Sequence, residues 1–285
     1  MSGFERFVGI DWSGARGASH PGIVVATVAA GEAAPMIVSP PGRTWSRMGV
    51  LAWLRALATR GERALIGIDF SFAPPFVDRG AYLPGITAPD DAQGFWAFVD
   101  AAATADTDLG AAGLLGGAWR GRFYHGAASG PKAAFQRWRV CEAAFNVSGG
   151  GKASSVFDCV GASQVGKGSF AGMRLLHMLS GAIPVWPFDP APAHGPVLVE
   201  IYARAFLRRA GGRGLKLRDA AGLNGALAAL GSRPWTVPGA ISDDASDALV
   251  TAAGLRHAAM EEGLWRPPGL TSQIAQTEGW TFGVA

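Results

Sequence analysis

Val8-Gly9-Ile10-Asp11-Trp12-Ser13 and Ile66-Gly67-Ile68-Asp69-Phe70-Ser71 repeat one pattern, apolar-Gly-Ile-Asp-aromatic-Ser. Each ends an apolar run with the length and β-branched content of a strand: Phe4–Asp11 and Ala64–Phe70. The second run is almost wholly apolar, as expected of a parallel strand covered on both faces. An Asp therefore stands near the end of each of two buried strands, where an isolated carboxylate is costly.

Around these runs the chain alternates. Gly22–Ala30 and Pro35–Ser39 read as two further strands, and Thr44–Arg60 as an amphipathic helix with Thr44 as N-cap and Gly61 as stop. Later come strand-like Ile183–Phe188 and Pro196–Tyr202, and helices over Ser169–Leu179, Arg204–Ala210, Leu217–Leu230 and Asp243–Glu262. This order predicts an α/β fold, a mixed sheet flanked by helices. Its core is expected from residues 1–72 and 153–285. The stretch 73–152, rich in Pro, Gly and aromatics with helical pieces near Pro89–Ala105 and Pro131–Phe145, is expected to be an inserted, mainly helical cap.

Two further elements carry acids. Val197-Leu198-Val199-Glu200-Ile201-Tyr202 ends a strand much as the first two do, and the last long helix opens with Asp243, Asp244 and Asp247. Spacings of three and four put Asp244 or Asp243 on the same helical face as Asp247. Taken singly, each acid has an ordinary explanation: a turn or cap at a strand end, an N-cap or first-turn acid for Asp243 and Asp244, pairing with Arg204 for Glu200. Taken together they suggest one cluster. Carboxylates on neighbouring strands about 4.8 Å apart repel by roughly 3 kcal/mol at an effective dielectric of about 20. Divalent cations relieve this, and an all-oxygen donor set suits magnesium or manganese. Two such ions on shared carboxylates can support phosphodiester hydrolysis.

The G-I-D-W-S-G and G-I-D-F-S strand ends and the D-D-A-S-D-A-L helix resemble the ribonuclease H-like superfamily, the helix being similar to the last helix of RuvC-type junction resolvases. With V-E-I-Y-A-R, G-K-G-S and the final E-G-W-T-F-G, the chain looks most like domain-of-unknown-function family 429, whose members carry a nuclease assignment inferred from fold. The resemblance implies a five-stranded ribonuclease H-like sheet with the first and fourth strands adjacent and parallel. It implies Asp11, Asp69 and Asp247 as catalytic metal ligands for two magnesium or manganese ions, with Asp244 a further ligand and Glu200 an auxiliary catalytic acid. Should Ile183–Phe188 and Pro196–Tyr202 form a hairpin, only one of them reaches the site.

Other features bear on a substrate. Gly161–Ser169 precedes a helix, as phosphate-binding loops do, but Gly168 separates Lys167 from Ser169, so it is not a nucleotide-hydrolysing P-loop pattern. Ser13, Lys167, Ser169 and Arg139 are the candidate substrate-binding residues. Between Asp108 and Glu142 there is no acid, while Arg120, Arg122, Lys132, Arg137 and Arg139 interleave with Trp119, Phe123, Tyr124, Phe135 and Trp138. A second basic run holds Arg204, Arg208, Arg209, Arg213, Lys216 and Arg218. Such runs suit a nucleic-acid backbone with stacked bases or, equally, a solvated face over a packed cap. Ten tryptophans in the chain weaken the aromatic signal.

Composition limits the rest. Across 285 residues, 49% are hydrophobic and 16% charged, which excludes a disordered chain. Two cysteines exclude a disulfide framework, and five scattered histidines without H-E-x-x-H give no zinc motif. There is no G-x-S-x-G elbow for a serine hydrolase. Glu5 and Arg6 interrupt the first apolar stretch, so no signal peptide is expected. No run is long enough to span a membrane, so no membrane partner and a cytoplasmic location are expected. The net charge of +3 is too small to identify a partner. The expected partner is a nucleic-acid or nucleotide substrate. The rival functions are a phosphotransferase or ATPase of the sugar-kinase and actin group, and a non-catalytic nucleic-acid-binding module.

Overall fold

A computed structural model of the chain describes residues 3–149, 153–161, 165–212, 217, 219–236 and 240–285. In chain order the elements are β1 (Arg6–Asp11), β2 (Val24–Ala29), β3 (Met36–Ile37), α1 (Arg47–Thr59), β4 (Ala64–Ile68), α2 (Ala92–Ala102), α3 (Ala112–Gly116), α4 (Val140–Val147), α5 (Val165–Leu179), β5 (Val185–Trp186), β6 (Val197–Ile201), α6 (Ala203–Arg209), α7 (Ala220–Ala229), α8 (Asp243–Ala258), α9 (Glu262–Trp265), α10 (Ser272–Thr277) and β7 (Thr281–Phe282). They build one mixed sheet in the order β3-β2-β1-β4-β6-β5, with β7 also on β6. β2 is antiparallel to both β1 and β3, while β1, β4, β6, β5 and β7 pair in parallel. This is the expected ribonuclease H-like α/β arrangement, with β1 and β4 adjacent and parallel.

Three details differ from the sequence reading. The sheet has seven strands rather than five, because the two-residue strands β5 and β7 occupy successive stretches of the outer edge of β6. β5 and β6 are parallel, so they form no hairpin. The cap of α1 is Ser46, whose hydroxyl accepts from the Gly49 amide at 2.9 Å, rather than Thr44.

Strand alternation sorts the core into two layers. Val8, Ile10, Ile66, Ile68 and Leu198 face one side and pack with α1, α5 and much of the inserted stretch, including Phe72, Tyr82, Phe95 and Phe123. Phe7, Leu65, Val197, Val199 and Ile201 face the other side and pack with α6, α7 and α8. Most of the described insertion thus shares the core of the first layer, while Cys141 of α4 packs with the second and Phe145 in a small separate cluster. Its helices are α2, α3 and α4, with 3-10 turns at Arg120–Arg122, Ala127–Ser129 and Lys132–Phe135. Among the described residues no helix is long and apolar enough to cross a membrane.

The repeated glycines explain how α8 reaches the sheet. Gly9 and Gly67 are register partners on β1 and β4. A Cβ on Gly9 would lie 2.3 Å from the Ala248 carbonyl oxygen and 2.7 Å from the Ala252 amide, and one on Gly67 would meet Ile201 and Leu255. The pair forms a groove in which α8 seats backbone against backbone. Its first turns then lie over the ends of β1 and β4.

Candidate active site

The pattern Gly-x-Asp puts each Asp two residues beyond its glycine, on the same face of the sheet. Asp11 and Asp69 therefore both point toward the α8 layer. Ser242 caps α8, accepting from the Ala245 amide at 3.1 Å, which leaves Asp243 and Asp244 in the first turn and Asp247 one turn on. That corrects the alternative reading of Asp243 or Asp244 as the N-cap. All five aspartates line one cavity of about 350 Å³. Trp12, Phe70, Phe145 and Tyr202 give it apolar walls.

The electrostatics are those of crowded acids. Asp11 is held well above the ordinary carboxylate range, first by burial and then by Asp69, Asp247 and Asp244, to which it is also hydrogen-bonded. Burial and the charge of Asp247 raise Asp69 to about 7, against a smaller opposing effect from the Ala203 amide, which donates to it at 3.5 Å. The donor set is entirely carboxylate oxygen, which by chemistry and charge fits a hard divalent ion. Among the described residues, however, no three Asp, Glu, His or Cys side chains already stand in a coordinating arrangement. Asp11 and Asp244 are joined by a hydrogen bond, while Asp69 and Asp247 act on Asp11 through charge, as Asp247 does on Asp69.

Glu200 belongs elsewhere. It pairs in register with Ile68, one residue out of phase with Asp69, so alternation sends it toward the opposite layer. There it is buried and accepts from the Phe72 amide at 2.7 Å, from the Thr281 hydroxyl at 2.6 Å and from both terminal nitrogens of Arg139. Its partner is thus Arg139 and not Arg204. Glu200 borders the cavity, but its oxygens are already engaged.

Arg139 is buried as well. Besides Glu200 it binds Glu142 at 2.9 Å and the Glu278 carbonyl at 3.1 Å. It is an internal counter-ion and does not present its guanidinium to a substrate. Arg137 is likewise spent on Asp78 and on the carbonyls of Tyr82 and Pro75, and Lys132 pairs with Asp158. The basic stretch read as a nucleic-acid face is therefore largely structural at these three positions. In the second basic run, Arg209 pairs with Glu261, while Arg213, Lys216 and Arg218 lie outside the described residues.

The remaining candidates divide. Ser13 stands beside Asp244 near Gly22, and its carbonyl is gripped by Arg47 at 2.9 and 3.0 Å, which fixes the loop after β1. Ser169 is fully buried at the wall of the cavity and accepts from the Ser71 amide at 3.1 Å, so it supports the D-F-S turn. Lys167 lies in the first turn of α5, not in a loop. Residues 162–164 of the proposed phosphate loop lie outside the described residues. Trp12 ties the two segments together by donating to the Gly168 carbonyl at 3.0 Å.

Sequence reasoning missed three supporting residues. Glu142 accepts from Arg139 and from the Ser71 hydroxyl. Glu278 accepts from the amides of Phe76, Val77 and Val140 at 2.7–2.8 Å, and Thr281 donates to Glu200. For Glu278 and Thr281 the available signal was the terminal E-G-W-T-F-G motif, in which Thr281 stands between two aromatics and Glu278 precedes them. Compared with protein-family models, curated proteins and solved structures, the chain matches none of them.

Proposed function

We propose that this protein is a cytoplasmic nuclease or phosphodiesterase that hydrolyses phosphodiester bonds with divalent metal ions. Asp11, Asp69 and Asp247 would hold the ions, with Asp244 beside them. The observation that carries this reading is the convergence of four carboxylates whose mutual repulsion and burial hold Asp11 and Asp69 above their ordinary range. Such a cluster is costly unless positive charge compensates it. Magnesium or manganese, two ions in the expected arrangement, would supply an activated water and stabilise the leaving oxygen. The likeness of the motifs to domain-of-unknown-function family 429 supports the same reading.

The chain's own groups supply position and environment. Gly9 and Gly67 let α8 bring its acids over the two strand ends. The buried Arg139–Glu200 pair and Glu142 form a rigid floor behind Ser71. Phe145 and Tyr202 stack edge to face at 5.2 Å and offer aromatic surface for a base. Both cysteines are free and buried, as suits a reducing compartment.

The test is cleavage of DNA, RNA and small nucleotide diesters in magnesium or manganese by the wild type and by Asp11→Asn and Asp69→Asn. The reading requires metal-dependent cleavage that both variants lose while staying folded. ATP turnover without diester cleavage would favour a phosphotransferase. Nucleic-acid binding without cleavage would favour the non-catalytic module.

A further inference from the structure

The wall of the carboxylate cavity is thin at one place. Gly14, after β1, touches the first turn of α5: a Cβ there would lie 2.4 Å from the Gly168 amide and 2.8 Å from Lys167. Beyond these two backbones lies a second concavity of about 240 Å³. Its charge is the reverse of the first. Arg16, Arg120 and Lys167 line it beside the imidazole of His125, and Arg47 forms part of its floor.

Some polar groups of this concavity are already engaged. The Arg47 guanidinium is spent on the carbonyls of Ser13, Ala15 and Asp108. The one acid in the lining, Asp106, accepts from the Gly113 amide at 2.6 Å. Arg16 and Arg120 are exposed at the rim. His125 Nε2 is buried with no hydrogen-bond partner, an arrangement that is uncommon for a buried polar atom and calls for one. Burial, Arg120 and Lys167 hold His125 below its ordinary range, against a backbone hydrogen bond with Leu115. Cys159, also in the lining, is pushed up to about 12 by burial and is not a nucleophile here.

We propose that this basic concavity binds a phosphate of the substrate adjacent to the one lying over the carboxylates. The substrate is then a molecule with at least two phosphate groups, one on either side of the Gly14–Gly168 wall. Clustered cations favour such a group through charge-assisted hydrogen bonds. The inference rests on the phosphodiesterase reading for its meaning, but its test does not require metal or turnover. The second phosphate has two sources: a terminal phosphate of a small nucleotide, or an internal phosphate of a polymer.

The experiment is calorimetric titration of inorganic phosphate into the whole protein, at low salt with a chelator present. Wild type, Arg120→Ala, Arg120→Lys, Asp69→Asn and the distant control Arg266→Ala are compared, each checked for its folded circular dichroism spectrum. Saturable binding is expected in the wild type, at least tenfold weaker in Arg120→Ala, partly restored in Arg120→Lys and unchanged in Arg266→Ala. Asp69→Asn, whose side chain lines the carboxylate cavity and not this one, should bind phosphate as the wild type does. Absence of phosphate binding by the wild type overturns the proposal, as does equal binding by Arg120→Ala. Competition then separates the sources. Displacement of phosphate by a nucleoside 5′-monophosphate identifies a terminal phosphate, and displacement only by an oligonucleotide lacking terminal phosphates identifies an internal one. If phosphate binds as expected but manganese does not, the phosphodiesterase reading fails while the basic site stands.

Discussion

Asp69→Asn removes one charge from the carboxylate cluster and keeps the shape of the side chain. The amide oxygen can still accept from the Ala203 amide, now 3.5 Å away. In the metal-free protein the wild-type group rises from 3.8 to about 7, close to three pH units. At about 1.4 kcal/mol per unit this is at most ~4 kcal/mol. Asp69 is half-buried beside an open cavity, so solvent screening brings the expected effect to about 2 kcal/mol. The sign follows from linkage. A carboxyl raised on folding stabilises the native state fully below its unfolded value near 4, and that contribution is lost as pH rises through about 7. Asp69→Asn should therefore be more stable than the wild type at pH 8, by about 4 °C in Tm for a chain of this size, with the gap closing toward pH 4. Thermal unfolding followed by circular dichroism in chelator, from pH 4 to 8, reads this directly. A variant that is equal or less stable at pH 8, or a gap that does not change with pH, would refute the reasoning.

Other expectations follow from the packing. Gly9→Ala should cost roughly 3 kcal/mol or more, because its Cβ meets the backbone of α8, an overpacking that a rigid neighbour cannot relieve. Gly67→Ala meets mainly the ends of Ile201 and Leu255 and should cost less; equal losses in urea unfolding would show that α8 is not seated on Gly9. Arg139→Met leaves Glu200 and Glu142 buried without their counter-ion and should cost about 3–5 kcal/mol, again read by urea unfolding; a neutral effect would mean that the pair is not a buried ion pair. Glu200→Gln should lower stability yet leave manganese affinity within a few-fold, since Glu200 faces away from Asp11; loss of metal binding in a folded Glu200→Gln would return Glu200 to the ligand set.

The parts of this fold that were legible in the sequence are those set by local periodicity. The two Gly-Ile-Asp strands and the opening of α8 each announce a buried element ending in an acid, and the structure brings those acids together. Glu200 was misread because its face depends on register with β4, a non-local fact that a one-residue shift reverses. The arginines at 137 and 139 were misread for a related reason. Their partners, Asp78, Glu200 and the Glu278 carbonyl, lie 59–139 residues away in the chain, so a charge run that looks solvated is in fact interior. The strand β7 has too few residues to show a period of two, whereas β5 falls inside the strand-like run Ile183–Phe188. The basic concavity is likewise assembled from three separate stretches, around residues 16, 120–125 and 167.

The account turns on whether the carboxylates over β1 and β4 hold metal. The most direct measurement is electron paramagnetic resonance of free manganese, titrated against the wild type, Asp69→Asn, Asp247→Asn and Glu200→Gln at pH 8. Saturable depletion of the free-ion signal by the wild type and Glu200→Gln, lost in both Asp variants, is the predicted result. A free-ion signal undiminished by the wild type, or depleted equally by Asp69→Asn, would contradict it.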